Sequence, residues 1–528
     1  MRTILLGVSV LLLALFLAFT PRAALAISAD DLLELLVEEK VITPEKAAKL
    51  KQKVREKEKA RKAQEEARRA RELQRIKEEA KREAVKEAQV AAAKAVPKPK
   101  VIVGYRKGFF MQTPDGKFRT RIRLAFQPRF TYIDRDSDIH RQYLDGKNVN
   151  EDAINTSYFR MRRLRLFFDG NAFHKDLKYF LHIQLEPDRG VNVHDANVYY
   201  TGIKNEYGSI IPWVGRGKIP YSLEFWNSGF KLNFVERSIF SGENDRNWPD
   251  NVAPFSGPAP GSNNKFHTGG FTLYRSQGVM LMGDVNLWAP RNFRYWFGIW
   301  NGVNTRGLDN MNDDRFCYSG RILFAPLPNG GPTDSELFLQ GDYNYHKSWP
   351  MFYILYSMYT NADRVSYQGR ATNAESYGYD LAACFKWRGF SLQWEGARET
   401  YRLLNWFPNG ADLAAHREAW YIAAGYFLLP KRLEVVARYA YANRLKDRNP
   451  QNQWLLPNTT NIMARNDKGV LVNNAVEGIL REYTFGLNYY VNGHRHKYMT
   501  DFSLLRRDLY NANDQEDYRF RFLAQWFF

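Results

Sequence analysis

From Lys100 onward, apolar and polar residues alternate in short runs, the period-2 pattern of strands with one greasy face. The last run is the clearest: Tyr518, Phe520, Phe522, Ala524, Trp526 and Phe528 share one face, with Arg519, Arg521 and Gln525 on the other. Leu433, Val435, Ala437, Tyr439 and Tyr441 likewise oppose Arg432, Glu434 and Arg438. The pattern predicts sixteen strands, near 118–133, 158–170, 177–185, 192–201, 210–219, 276–286, 293–301 and 314–325, then 334–346, 375–387, 389–400, 417–428, 432–443, 479–491, 497–505 and 517–528. Odd-numbered connections read as long (134–157, 220–275, 347–374, 401–416, 444–478) and even-numbered ones as short turns. A soluble sandwich has no reason to gather its long loops at one end. A sixteen-stranded antiparallel transmembrane β-barrel does, with short turns in the periplasm and long loops outside.

The first hundred residues read differently. Arg2, an apolar run Ile4–Phe19 and a small-residue exit Ala24-Leu25-Ala26 describe a secretory signal over 1–26. Residues 27–96 form a basic periplasmic helical segment, 97–117 a linker and 118–528 the barrel. Thr43-Pro44-Glu45 starts the main helix, with Thr as N-cap and Pro at the first helical position. Ala60, Ala63, Ala67 and Ala70 keep a spacing that fits either a short coiled coil with a small-residue seam or a solvated charged helix. Its charge leaves open a periplasmic contact with an anionic cell-wall polymer.

Charge and chemistry narrow the function. The chain carries 76 basic and 57 acidic residues, so its partners are expected to be small anions rather than cations. No internal stretch is apolar enough for a spanning helix, and two cysteines, Cys317 and Cys384, exclude a disulfide scaffold. No Gly-x-Ser-x-Gly, His-Glu-x-x-His or phosphate-cradling Gly-Lys-Ser/Thr run occurs, and His494-x-His496 falls in an expected turn. Neither an enzyme, a cofactor, a metal site nor a nucleic-acid partner is expected.

Arg119, Arg121 and Arg123 alternate with Thr120, Ile122 and Leu124 in the first strand, and Arg163 and Arg165 with Leu164 and Leu166 in the second. An arginine facing lipid at mid-bilayer costs about 2–4 kcal/mol, so these side chains are expected to face the lumen. Arg160 and Arg162 would point outward unless a bulge intervenes at Arg162-Arg163. Arg216 and Lys218 extend the basic stripe, forming with the others an anion path. The long connection 220–275 is the candidate constriction, carrying Glu224, Glu236, Arg237, Glu243 and Asp245. Cross-lumen pairing of these arginines with carboxylates, which would make them a polar lining only, is the alternative.

The run Phe159-Arg160-Met161-Arg162-Arg163-Leu164-Arg165-Leu166 into Phe168-Asp169-Gly170, the stretch Gly215-Arg216-Gly217-Lys218-Ile219-Pro220-Tyr221, and Val235-Glu236-Arg237-Ser238 resemble the phosphate-selective porin O and P family of Gram-negative outer membranes. That resemblance implies a homotrimeric sixteen-stranded outer-membrane channel for anions, with phosphate as namesake solute. A general porin of low selectivity, and a barrel sheathing a multihaem cytochrome, are the competing readings. The sheath predicts a wide lumen with no inserted loop.

Overall fold

The computed structural model describes residues 34, 37–38, 43–95, 101–134, 155–187, 190–241, 270–303, 315–367, 370–443, 446, 462–465, 471–475, 477–510 and 512–528. The chain divides into two units, 1–98 and 99–528. In the first, helix α1 (Pro44–Ala95) runs for 52 residues. It begins where expected, with the Thr43 carbonyl accepting from Lys46 and Ala47. Nearly every described side chain on it is exposed, Leu73 and Ile76 included, so it is a solvated rod as it stands; a coiled-coil seam would need a second chain. The signal run and its boundary at Ala26 lie outside the described residues.

The second unit is a closed antiparallel barrel of sixteen strands. They are β1 (Arg119–Asp134), β2 (Thr156–Asn171), β3 (Leu177–Gln184), β4 (Asn192–Tyr200), β5 (Gly208–Lys218), β6 (Arg275–Val285), β7 (Phe293–Trp300) and β8 (Cys317–Phe324). Then follow β9 (Met351–Tyr367), β10 (Arg370–Trp387), β11 (Phe390–Leu403), β12 (Leu413–Leu429), β13 (Leu433–Asn443), β14 (Glu477–Tyr490), β15 (His496–Leu509) and β16 (Gln515–Phe527). Each pairs with its sequence neighbour, and β16 returns to β1 with Trp526 opposite Phe126 and Phe527 opposite Ala125. Closure leaves no edge strand to template aggregation. The stretch 97–117, read as a linker, contains a hairpin, Ile102–Tyr105 with Phe109–Gln112, whose second strand pairs with the start of β1.

The two faces sort as the alternation requires. Tyr132, Phe159, Phe297, Tyr318, Phe485, Tyr518 and Phe520 stand exposed on the outer wall, where hydrocarbon is the favourable solvent. Gln127, Arg129 and Thr131 of β1, and Arg519, Arg521 and Gln525 of β16, are buried inside. Cys317 and Cys384 are also buried, as free thiols.

One strand is corrected. The ninth was expected over 334–346, but there the chain makes a helical turn and a loop, and the strand follows at Met351–Tyr367. Thr333 caps the turn and Glu336 answers with a full capping box, which stops an extended conformation at Asp334. The true strand was obscured because Met351-Phe352-Tyr353-Ile354-Leu355-Tyr356 is apolar on both faces and carries no alternation. Two consequences follow. The expected long connection 347–374 shrinks to residues 368–369, because β9 and β10 form one tall hairpin. The long connection instead spans 325–350, at the end of the barrel otherwise joined by short turns.

Candidate functional site

The inner wall of β1 and β2 is built on an arginine series. Odd-numbered residues of β1 face inward, which places Arg119, Arg121, Arg123 and Arg129 on the lumen side. In β2 the pairing runs Gln127 to Arg163, then Pro128 to Met161, so Arg162 is an extra residue. Pro128 has no N–H to give the ladder, and a bulge is the usual place for it. The bulge resets the alternation: Arg160 and Arg162 join Arg163 and Arg165 inside, while Phe159 turns outward. The conditional outward placement of Arg160 and Arg162 is thereby resolved.

Three carboxylates among the described residues pair with this wall. Asp169 bridges Arg121 (2.6 Å) and Arg123 (2.7 Å) near the short-turn end. Glu186 holds Arg165 at 2.8 Å. Glu236 receives Arg163 at 2.6 Å, Arg162 more closely still, and Arg129 at 3.8 Å. Arg119 lies over the Phe110 ring, 5.1 Å from its centroid. Arg216 is not brought into this group: it stands in register with Ala196 and Gln277, on the positions that carry Val198, Val214 and Val279 outward, and donates to the Val193 carbonyl.

The first part of the connection after β5, residues 219–241, enters the barrel. It includes Leu223, Phe225, Trp226, Phe230, Leu232, Phe234, Ile239 and Phe240, all buried. Burying each such side chain is worth about 1.5–3 kcal/mol, which favours an internal course over a solvated loop. Helical turn α2 (Leu223–Trp226) is capped by Ser222 and by the Glu395 carboxylate of β11, which accepts from the N–H groups of Leu223 (2.7 Å) and Glu224 (2.8 Å). Glu224 organises the loop itself, accepting from Ser238 N–H (2.9 Å), Ser238 Oγ (2.7 Å) and Ser241 Oγ (2.6 Å). Arg237 does the same as donor, reaching the carbonyls of Glu224 and Asn227 at 3.0 and 2.6 Å. Lys218 Nζ gives its protons to the Phe225 and Trp226 carbonyls, at 2.6 and 3.1 Å. Among the described loop residues named above, Glu236 is the one that pairs with the arginine wall, and Gly229 allows the approach: a Cβ there would lie 2.7 Å from Arg163 Nε. Glu243 and Asp245 lie outside the described residues.

Two further residues of this wall are legible in the sequence. Arg129 continues the same period as Arg119 to Arg123, and Asp169 the period of Arg165. Glu395 and Lys497 carry no local signal, because they hold backbone groups of the inserted loop, and Glu186 carries none because its partners, Arg165 and the Leu164 N–H, belong to a neighbouring strand. His494 and His496 part company, the first against Tyr343 and Tyr490, the second against Tyr498 and Trp526.

The family profile "Phosphate-selective porin O and P" matches residues 134–525. No curated protein matches the chain. Among solved structures, the outer membrane channel DcaP of Acinetobacter baumannii is similar at 11% identity and TM-score 0.48, covering 80% of this chain and 99% of its own. The anion-selective porin from Comamonas acidovorans is similar at 12% identity and TM-score 0.44, covering 77% and 99%. OprB of Pseudomonas putida gives 10% identity, TM-score 0.44 and coverages of 77% and 94%.

Proposed function

Because the chain belongs to the phosphate-selective porin O and P family, and is thus an outer-membrane porin rather than a helical transporter, we propose that it passes small anions, phosphate among them, along the arginine wall of β1 and β2. The observation that carries this reading is the density of inward guanidinium groups on one stretch of wall. Arg119, Arg121, Arg123, Arg129, Arg160, Arg162, Arg163 and Arg165 face inward on two adjacent strands, and among the described residues Asp169, Glu186 and Glu236 pair with six of them. Guanidinium groups gathered along a lumen attract anions and hold them through forked hydrogen bonds weak enough to release. Glu236, brought in by the inserted loop, neutralises part of the cluster. The inserted loop counts against the cytochrome-sheath reading, which needs a wide empty lumen.

The short-turn end is read as periplasmic. A homotrimer fits the wall heights. Strands β3, β7 and β8 have 8 residues each, whereas a tilted strand needs about 9–11 to span, so this side is suited to cover by neighbouring subunits.

Planar-bilayer reversal potentials under a potassium chloride gradient test the reading. The wild type is expected to favour chloride, with phosphate blocking the chloride current. Replacing Arg121, Arg123, Arg163 and Arg165 with Ala should shift the reversal potential toward zero. Unchanged selectivity in that variant would sink the arginine-wall account.

A further inference from the structure

The connection between β8 and β9, residues 325–350, does not turn back into solvent. It crosses the barrel at the short-turn end and touches inward side chains of half the wall in succession. Asp334 takes Arg294 of β7 at 2.6 Å, and the Leu339 carbonyl takes the ammonium of Lys386 on β10. Tyr343 then packs on Phe427 of β12 and Tyr490 of β14, with centroids 6.0 and 5.2 Å away. Leu337, Leu339, Gln340 and Asp342 are all buried.

The inserted loop 219–241 holds the other half. The Gly229 carbonyl accepts from Gln127 of β1 at 3.2 Å, that of Phe230 from Gln525 of β16 at 3.0 Å, and that of Leu232 from Lys497 of β15 at 2.6 Å. Gln525 and Lys497 lie close to the short-turn ends of their strands, so the two segments meet at the same level. Their seam is specific. Ser228 N–H donates to the Phe338 carbonyl (3.0 Å), Gln340 N–H to the Lys231 carbonyl (3.2 Å) and Asn227 Nδ2 to the Leu337 carbonyl (2.8 Å). Asn233 N–H donates to Gln340 Oε1 (3.2 Å), and Phe338 stacks on Trp226 with centroids 6.1 Å apart.

From this geometry we infer that residues 325–350 are a plug, entering from the short-turn end and closing the channel by docking on the inserted loop, so that permeation requires the seam to part. The energetics suit a gate. Each half is fastened to the wall by charged groups: Lys386 and Arg294 hold the plug, Lys497 and Glu236 the loop. The join between them uses four neutral hydrogen bonds, one ring stack and one charge-assisted bond, from Lys231 Nζ to the Ser335 carbonyl at 3.2 Å. Neutral bonds contribute about 0.5–1.5 kcal/mol net and charge-assisted ones roughly twice that, and the seam's single charged bond lies exposed to water, so the seam is the weaker join. A parted seam leaves both segments attached to their own strands, ready to reclose. This inference rests on the channel reading but not on anion preference.

Single-channel recording in planar bilayers tests it. The wild type should show a low open probability, and a variant with residues 328–347 replaced by a short Gly-Ser turn should conduct continuously at a several-fold larger time-averaged current. Because the shortened chain could fail to fold, a second variant, Asn227→Ala with Gln340→Ala, leaves the chain intact and should raise open probability several-fold. Retained heat-modifiable gel mobility reports that each barrel is folded. Equal currents from wild type and the folded shortened variant would overturn the plug, as would an unaltered open probability in the double variant. Silence from all three would overturn the channel reading together with it.

Discussion

At Glu236 three guanidinium groups converge on one carboxylate in a site closed to water, and the consequences of removing that charge can be worked out. Arg162, Arg163 and Arg129 would be left facing one another across a few ångströms, with Gln127 the remaining neutral acceptor for Arg163 at 2.8 Å. Breaking a buried ionic cluster on one side typically costs about 3–5 kcal/mol. Glu236→Gln keeps the shape of the loop, so the loss is electrostatic. Its expected signature is a lower denaturation temperature in detergent by heat-modifiability, together with a larger chloride-over-potassium preference. A destabilised barrel with unchanged selectivity would mean that the cluster holds the loop and plays no part in permeation. The sequence showed the arginines through their period of two but not this arrangement, because the counter-charge comes from a loop some seventy residues downstream.

At the level of elements, the plug carries its own titratable latch. His346 sits between Asp342 (2.5 Å) and Glu336 (3.3 Å). Burial opposes its protonation, yet the hydrogen bonds to Asp342 and Glu336 outweigh that and lift its pKa to about 9. The same His346 bond, aided by the Thr333 N–H, draws Glu336 down to about 2 against its burial. The neighbouring wall presents Arg388, whose N–H meets the His346 carbonyl, and Lys386 on the Leu339 carbonyl. A raised histidine stabilises the folded latch fully below its unfolded pKa of about 6.5, and that contribution disappears as pH rises through about 9. The glutamate contribution is present above about 4.5 and disappears as pH falls through about 2. Open probability should therefore be lowest between about pH 4.5 and 6.5 and rise toward pH 9, and His346→Ala should remove the alkaline rise. A flat profile in the wild type would rule out the latch. This same segment is where the reading of the chain as strands failed. Leu337 and Leu339 alternate as a strand would, but they bury against Trp226 and a neighbouring strand lysine, and only the Thr333-x-x-Glu336 capping pattern betrayed the turn. The other strands were legible because lipid on one side and a polar lumen on the other enforce the period over their length.

For the molecule as a whole, the basic charge is divided between two environments that salt affects unequally. Arg121 and Arg123 near the short-turn end are partly open to water, with side chains 27% and 20% exposed, whereas Arg129, Arg162, Arg163 and Arg165 are enclosed. The Debye length falls from about 10 Å at 0.1 M to about 3 Å at 1 M, which silences fields from exposed charges but reaches buried ones far less. Anion preference should accordingly have two components, measured as reversal potential at a fixed concentration ratio over that range of mean salt. One component, attributable to the mouth, should fade with salt and be absent from an Arg121→Ala, Arg123→Ala double variant. The other, set by the enclosed cluster against Glu236, should survive to 1 M. Selectivity that vanishes entirely at high salt would assign all of the preference to the mouth. The enclosed arginines would then be wall structure, fully matched to their carboxylates, and the lumen a polar passage of no particular sign.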